Sequence, residues 1–132
     1  MAVNNPYQVY QQNSVTTASP GELTIMLYNG CLKFIAKAKQ SIETKNIQER
    51  NTNIQKAQNI IRELMVTLDM GYDVSRSMMA LYEFINQRLT DANIRNDIAA
   101  LEEAEGLVKD FRDTWKQAIQ INRQQQHQGG QA

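Results

Sequence analysis

Apolar residues recur at steps of three and four in four separate stretches of the chain. The first stretch carries Leu27, Tyr28, Cys31, Ile35, Ala38 and Ile42. The second carries Ile54, Ala57, Ile61, Leu64 and Leu68. The third carries Val74, Met78, Leu81, Ile85, Leu89 and Ala92, and the fourth Leu101, Ala104, Val108, Phe111, Trp115 and Ala118. This is the period of an α-helix with one face in a core. It predicts four amphipathic helices of roughly 20–25 residues, each about 30–37 Å long at ~1.5 Å per residue.

The breaks between stripes carry end signals. Ser19-Pro20-Gly21-Glu22 fits a capping box, with Ser19 as N-cap, Pro20 at the first helical position and Glu22 reaching back. The pattern fades at Thr44-Lys45-Asn46, and Asn46 with Glu49 three residues on forms a second cap. Gly71 is read as a left-handed stop for the second helix. Asp73 or Ser75 caps the third, and Asn93–Asn96 make a short turn. Both prolines, Pro6 and Pro20, precede residue 21, so nothing interrupts helix from there on. Short connections make successive helices antiparallel. The expected fold is all-α: an antiparallel up-down four-helix bundle, residues 19–122, preceded by a flexible arm, 1–18, and followed by a disordered tail, 123–132, where periodicity vanishes.

Composition narrows the function. Fourteen basic and fourteen acidic side chains leave a formal net charge of zero. That removes the simplest case for nucleic acid or an anionic membrane as partner. Mean hydropathy is −0.54, and no apolar run approaches the ~20 residues of a membrane span. The N-terminus lacks the basic, apolar and small-residue order of a secretory signal, so a cytoplasmic location is expected.

Chemistry is sparse. The one histidine, His127, lies in the tail, so the Glu-x-x-His pattern of di-iron bundles is absent. Cys31, the one cysteine, sits on a core stripe with no histidine to activate it and reads as a buried thiol. Glu102 and Glu105 read as a solvated face near a helix start, where negative charge is favoured. Residues 97–113 hold six acids against two bases, a dipole complement first and a partner surface second. No enzyme activity, cofactor or metal is expected. Gly30 and Gly106 fall inside helical pattern, where each costs about 1 kcal/mol against Ala. They mark either close helix–helix approach or a groove floor where a foreign backbone comes near.

The sharper anomaly is an excess of apolar residues. The first helix adds Leu23, Ile25, Met26, Leu32 and Phe34 to its stripe, the second Ile60, Met65 and Val66, and the third Met79, Tyr82 and Phe84. Some of these widen the core face; the rest need a cover. Methionines at 26, 65, 70, 78 and 79 supply adaptable surface suited to helices or extended segments. The arm, uncharged from Met1 to Gly21, enters an apolar groove without burying a charge. Tyr7 and Tyr10 share a face if it turns helical.

The motifs Asn5-Pro6-Tyr7-Gln8-Val9-Tyr10, Ser19-Pro20-Gly21-Glu22-Leu23 running into Met26-Leu27-Tyr28-Asn29-Gly30, Ala57-Gln58-Asn59-Ile60-Ile61, and Glu105-Gly106 through Trp115-Lys116-Gln117-Ala118 together resemble the FliS family of flagellar export chaperones, especially its Bacillus-type members. The resemblance runs from Asn5 to about Gln120. It implies a cytoplasmic helical bundle that binds the C-terminal segment of flagellin, prevents premature polymerisation and assists delivery to the export gate of the flagellar type III secretion apparatus. It also implies that the arm occupies part of the client groove and takes part in gate docking, roles carried here by Tyr7 and Tyr10. The family motifs name no groove positions. Met26, Ile60, Met65, Leu68 and Tyr82 are the partner-binding candidates chosen from the off-stripe and stripe-edge residues. The alternative is a homodimeric structural or adaptor bundle whose extra apolar surface self-associates without a flagellin client.

Overall fold

The computed structural model describes residues 19–130, with side chains as far as Gln125. Tyr7 and Tyr10 lie outside the described residues. Four helices follow one another: α1 (Pro20–Glu43), α2 (Ile47–Thr67), α3 (Val74–Arg95) and α4 (Ile98–Gly130). The close pairings are α1–α2, α2–α3, α3–α4 and α4–α1, which closes an antiparallel ring around one core.

The helix starts follow from their caps. The Ser19 hydroxyl accepts the Glu22 N–H at 3.2 Å, with Pro20 in the first turn. Glu22 does not reach back; its carboxylate pairs with Arg123. Asn46 accepts the Glu49 N–H at 3.1 Å, as its spacing predicts. Asp97 accepts the Ala100 N–H at 3.3 Å and starts α4. At α3, Asp73 makes no side-chain cap. Ser75 instead turns inward and donates to the Asp69 carbonyl.

Two boundaries differ from expectation. α2 stops at Thr67, because Leu68 is already extended (φ −69°, ψ 125°). Gly71 therefore ends no helix and has no positive φ. Its N–H meets the Asp69 carboxylate at 2.9 Å, inside a separate loop. α4 continues to Gly130 rather than ending at Asn122. Losing the apolar stripe removes packing, but Gln-rich sequence still extends an existing helix at low cost. The other two connections are tight, with left-handed Lys45 (φ 59°) and Asn96 (φ 55°) turning the chain.

The core holds every stripe residue expected of α1, and Ile54, Ala57, Ile61 and Leu64 of α2. In α3 the stripe is rotated. Ser75, Tyr82, Ile85, Leu89 and Ala92 are buried, while Val74 and Leu81 are exposed. Spacing alone favoured the two aliphatics. Tyr82 displaces Leu81 because its hydroxyl finds a buried partner. In α4, Leu101, Ala104 and Val108 are buried; Phe111 and Trp115 pack at the edge, and Ala118 is exposed. Among the described residues no helix is long and apolar enough to cross a membrane.

Candidate functional site

An apolar pocket of about 320 Å³ opens where α1 begins, α2 ends and α3 begins. α1 lines it with Pro20, Gly21, Thr24 and Tyr28, and α2 with Leu64 and Thr67. The 68–73 connection adds Leu68, Asp69 and Tyr72. α3 adds Val74, Met78 and Tyr82, and α4 adds Trp115. All four helices converge here because the aromatic residues at this end are too large for close approach. At the opposite end Ala38, Ala92, Ala100 and Ala104 are fully buried; small side chains bring helix axes together. A larger hollow of about 730 Å³, between the end of α1 and the start of α2, is lined by polar residues such as Gln40, Asn46 and Glu49 and offers no apolar anchor.

Beneath the pocket the Tyr28 and Tyr82 hydroxyls lie 2.6 Å apart, one donating to the other. Both rings stack on Phe111, at centroid distances of 5.9 and 4.9 Å. Burial pushes the Tyr28 hydroxyl far up, and the Tyr82 pair adds to it. Tyr82 is also raised by burial, against a lowering from its bond with Tyr28. The pair is a neutral hydrogen-bonded unit, which is how two phenols are held in an apolar interior. Cys31 lies deeper. Its thiol contacts the Ala57 carbonyl at 3.7 Å, and burial pushes it up to about 12.

Beside the pocket, α3 and α4 pack side by side. Arg88 pairs with Glu103 at 3.0 Å across these antiparallel helices. That register sets Phe84 level with Leu107, one turn away from the pair. Leu81 is seven residues from Arg88 and lies on the same side of α3. Leu81 and Phe84 are 40% and 42% exposed, and Val74, shared with the pocket, is 60% exposed. From Val74 to Phe84 the helix runs about 15 Å. Exposed apolar residues therefore lie along the outside of α3 from the pocket rim at Val74.

The sequence-derived candidates fall unevenly on this site. Leu68 and Tyr82 line the pocket, the first half-buried at its wall and the second buried at its floor. Met65 is half-buried against the core on α2, and Met26 half-buried on α1; neither lines the pocket. Ile60 is a core residue, 2% exposed. Sequence reasoning missed Val74 and Leu81, which it assigned to the core, and Trp115, which packs at the core edge and also walls the pocket. The exposed Met70 and Tyr72 in the intervening loop were the available signal: such residues in a short connection leave an apolar rim. Gly106 is exposed, and a β-carbon there would meet nothing within 4 Å. Close helix packing is thus not its explanation. Part of the acidic start of α4 is paired: Glu105 with Lys39 at 3.2 Å, and Glu103 with Arg88.

Comparison with known proteins agrees with this architecture. Residues 3–122 match the family model described as flagellar protein FliS. The chain is 57% identical over 130 residues to the flagellar secretion chaperone FliS of Bacillus subtilis (strain 168), covering 98% of each chain. It is 34% identical over 115 residues to that of Escherichia coli (strain K12), covering 85% of each. A solved structure described as a flagellar chaperone from bacteria superposes with a TM-score of 0.73 at 23% identity, over 87% of this chain and 95% of that one; this last likeness speaks to the fold. With a matched family model and a relative similar along nearly the whole length, the chain belongs to the FliS family of flagellar secretion chaperones.

Proposed function

We propose that this chain binds the C-terminal segment of flagellin in the cytoplasm, keeps it from polymerising, and presents it to the export gate. The observation that carries this reading is the apolar pocket at Leu68, Met78 and Trp115, with exposed Val74, Leu81 and Phe84 along the adjoining side of α3. A bundle whose core is already filled gains nothing in isolation from exposing these residues. A client that is unfolded when free must offset its ordering entropy with apolar burial, and this surface supplies it to an amphipathic segment. Occupying the client's apolar face excludes the packing that polymerisation requires, so competition alone suffices and no nucleotide is needed.

Titration calorimetry with a flagellin C-terminal peptide tests the reading. It predicts one-to-one binding with a negative heat-capacity change. No heat at micromolar concentrations, together with a client-free dimer by sedimentation, would instead favour the adaptor reading.

The arm is proposed to compete for the same surface and to contact the gate through Tyr7 and Tyr10. Residue 18 is joined through Ser19 to Pro20, a pocket-lining residue, which supports the first role. Removing residues 1–17 then strengthens peptide binding, because a competitor is lost. Unchanged affinity would leave the arm to the gate alone.

A further inference from the structure

Part of the pocket wall is built from two stretches of helix that hold no fully buried residue. No residue from Ser19 to Met26 is fully buried, and none from Arg112 to Gln125 is. Each segment is a stretch of helix extending beyond the packed core. Such stretches fray independently unless something joins them.

They are joined to one another. The Trp115 indole N–H donates to the Gly21 carbonyl at 3.0 Å. Ile119 closes over Gly21 so tightly that a β-carbon there would stand 3.0 Å from its Cδ1. Arg123 pairs with Glu22, and Arg112 donates to the Asn29 side chain at 3.4 Å. Each of these polar contacts from the end of α4 is made to α1. Glycine at position 21 leaves its carbonyl accessible and gives Ile119 room, so side chains of α4 rest directly on the backbone of α1.

We propose that residues 19–26 and 112–125 form one clasp that opens and closes as a unit, and that one wall of the pocket exists only while it is closed. Gly21 and Thr24 come from one half of the clasp and Trp115 from the other, and all three line the pocket. Opening removes these wall residues together. It also frees the first turn of α1, so that turn and the shape of the pocket change in one event. This holds whatever fills the pocket.

The test is reciprocal and uses the full chain with no ligand, read by amide hydrogen exchange. Ser19→Ala deletes a cap that touches only α1. A lost cap accelerates exchange about fivefold in the turns it holds. The clasp predicts the same factor at residues 112–120, which Ser19 does not contact. Trp115→Phe keeps a ring in place but removes the indole N–H. It should accelerate both segments to a similar degree. Amides of 54–64 and 100–108 should stay unchanged in both variants. Acceleration confined to the mutated helix would overturn the proposal, as would equal acceleration of those core amides, because opening would then be global unfolding.

Discussion

The two ends of the bundle are built on opposite plans. At one end the helices join through three-residue and two-residue connections, with Lys45 and Asn96 left-handed. Alanines fill the core there. Arg50 ties α2 to α3 by donating to Asn93 at 3.0 Å and to Asn96 at 2.9 Å, and Asn93 donates to Asn51 at 2.7 Å. At the other end aromatics hold the helices apart, a longer loop exposes Met70 and Tyr72, and a pocket remains. Side-chain volume and lining thus separate an end whose hollow is polar from one whose pocket is apolar.

The contrast is broken most severely at the alanine-packed end. Leu101→Ala, which empties a fully buried site, should cost about 2–5 kcal/mol in chemical denaturation. The protein that remains folded should still bind flagellin peptide; lost affinity in that fraction would mean the ends are not separable. Beneath the pocket, Tyr82→Phe leaves Tyr28 without its partner and should cost about 1–3 kcal/mol. The double change Tyr28→Phe with Tyr82→Phe should cost less than the sum of the singles, because no orphaned hydroxyl is left. Additive losses would show that the pair is not a unit.

At the pocket end the effects should move from stability to binding. Val74→Asp places a charge on an exposed rim residue in the first turn of α3, where the helix dipole favours it. The urea midpoint should shift by no more than about 0.5 kcal/mol. Peptide affinity should fall about tenfold, about 1.4 kcal/mol. Gly106→Ala should stabilise the protein by about 1 kcal/mol, since its new methyl group meets open space and alanine is the better helix former. Weaker peptide binding in that variant would place a client backbone over α4; unchanged binding would exclude it.

The smallest effect at neutral pH is that of Cys31, which is protonated there in both folded and unfolded chain. Burial raises its pKa from an ordinary value near 9 to about 12. The thiol thus ionises first in the unfolded chain, and its contribution to stability is full below pH ~9 and is lost as pH climbs toward 12. Cys31→Ala should flatten the alkaline decline in the urea midpoint. Wild-type thiol should react with Ellman's reagent at pH 8 only as fast as the protein opens.

Local spacing revealed the core stripe of α1 and most of those of α2 and α4, although Ala118 is exposed and off-stripe Phe34 and Ile60 are buried. α3 shows where this fails. Leu81 is more apolar than Tyr82, yet Tyr82 is buried through a hydroxyl 54 positions away in sequence, and no periodicity carries that information. The helix end expected at Gly71 failed for a related reason. Glycine permits a left-handed turn, but Leu68 had already left the helix and Asp69 held the Gly71 N–H. Excess apolar residues pointed to surface that the core does not cover. They did not say where a pocket would lie, since it depends on how helix ends and a loop meet. Leu68 was legible because it sits at the frayed edge of a stripe, whereas Ile60 looked equally surplus and proved to be core.

Trp115 is the chain's one tryptophan, and it stands at the mouth of the pocket with its indole nitrogen on Gly21. Excited beyond the tyrosine band, the intrinsic emission of the protein consequently has a single source, set in the wall of the pocket. Its wavelength should move to the blue when an apolar segment displaces water from the ring and to the red when the ring is set free. Arrival, departure and loosening at this end can thus be followed in real time on unlabelled protein, by colour alone.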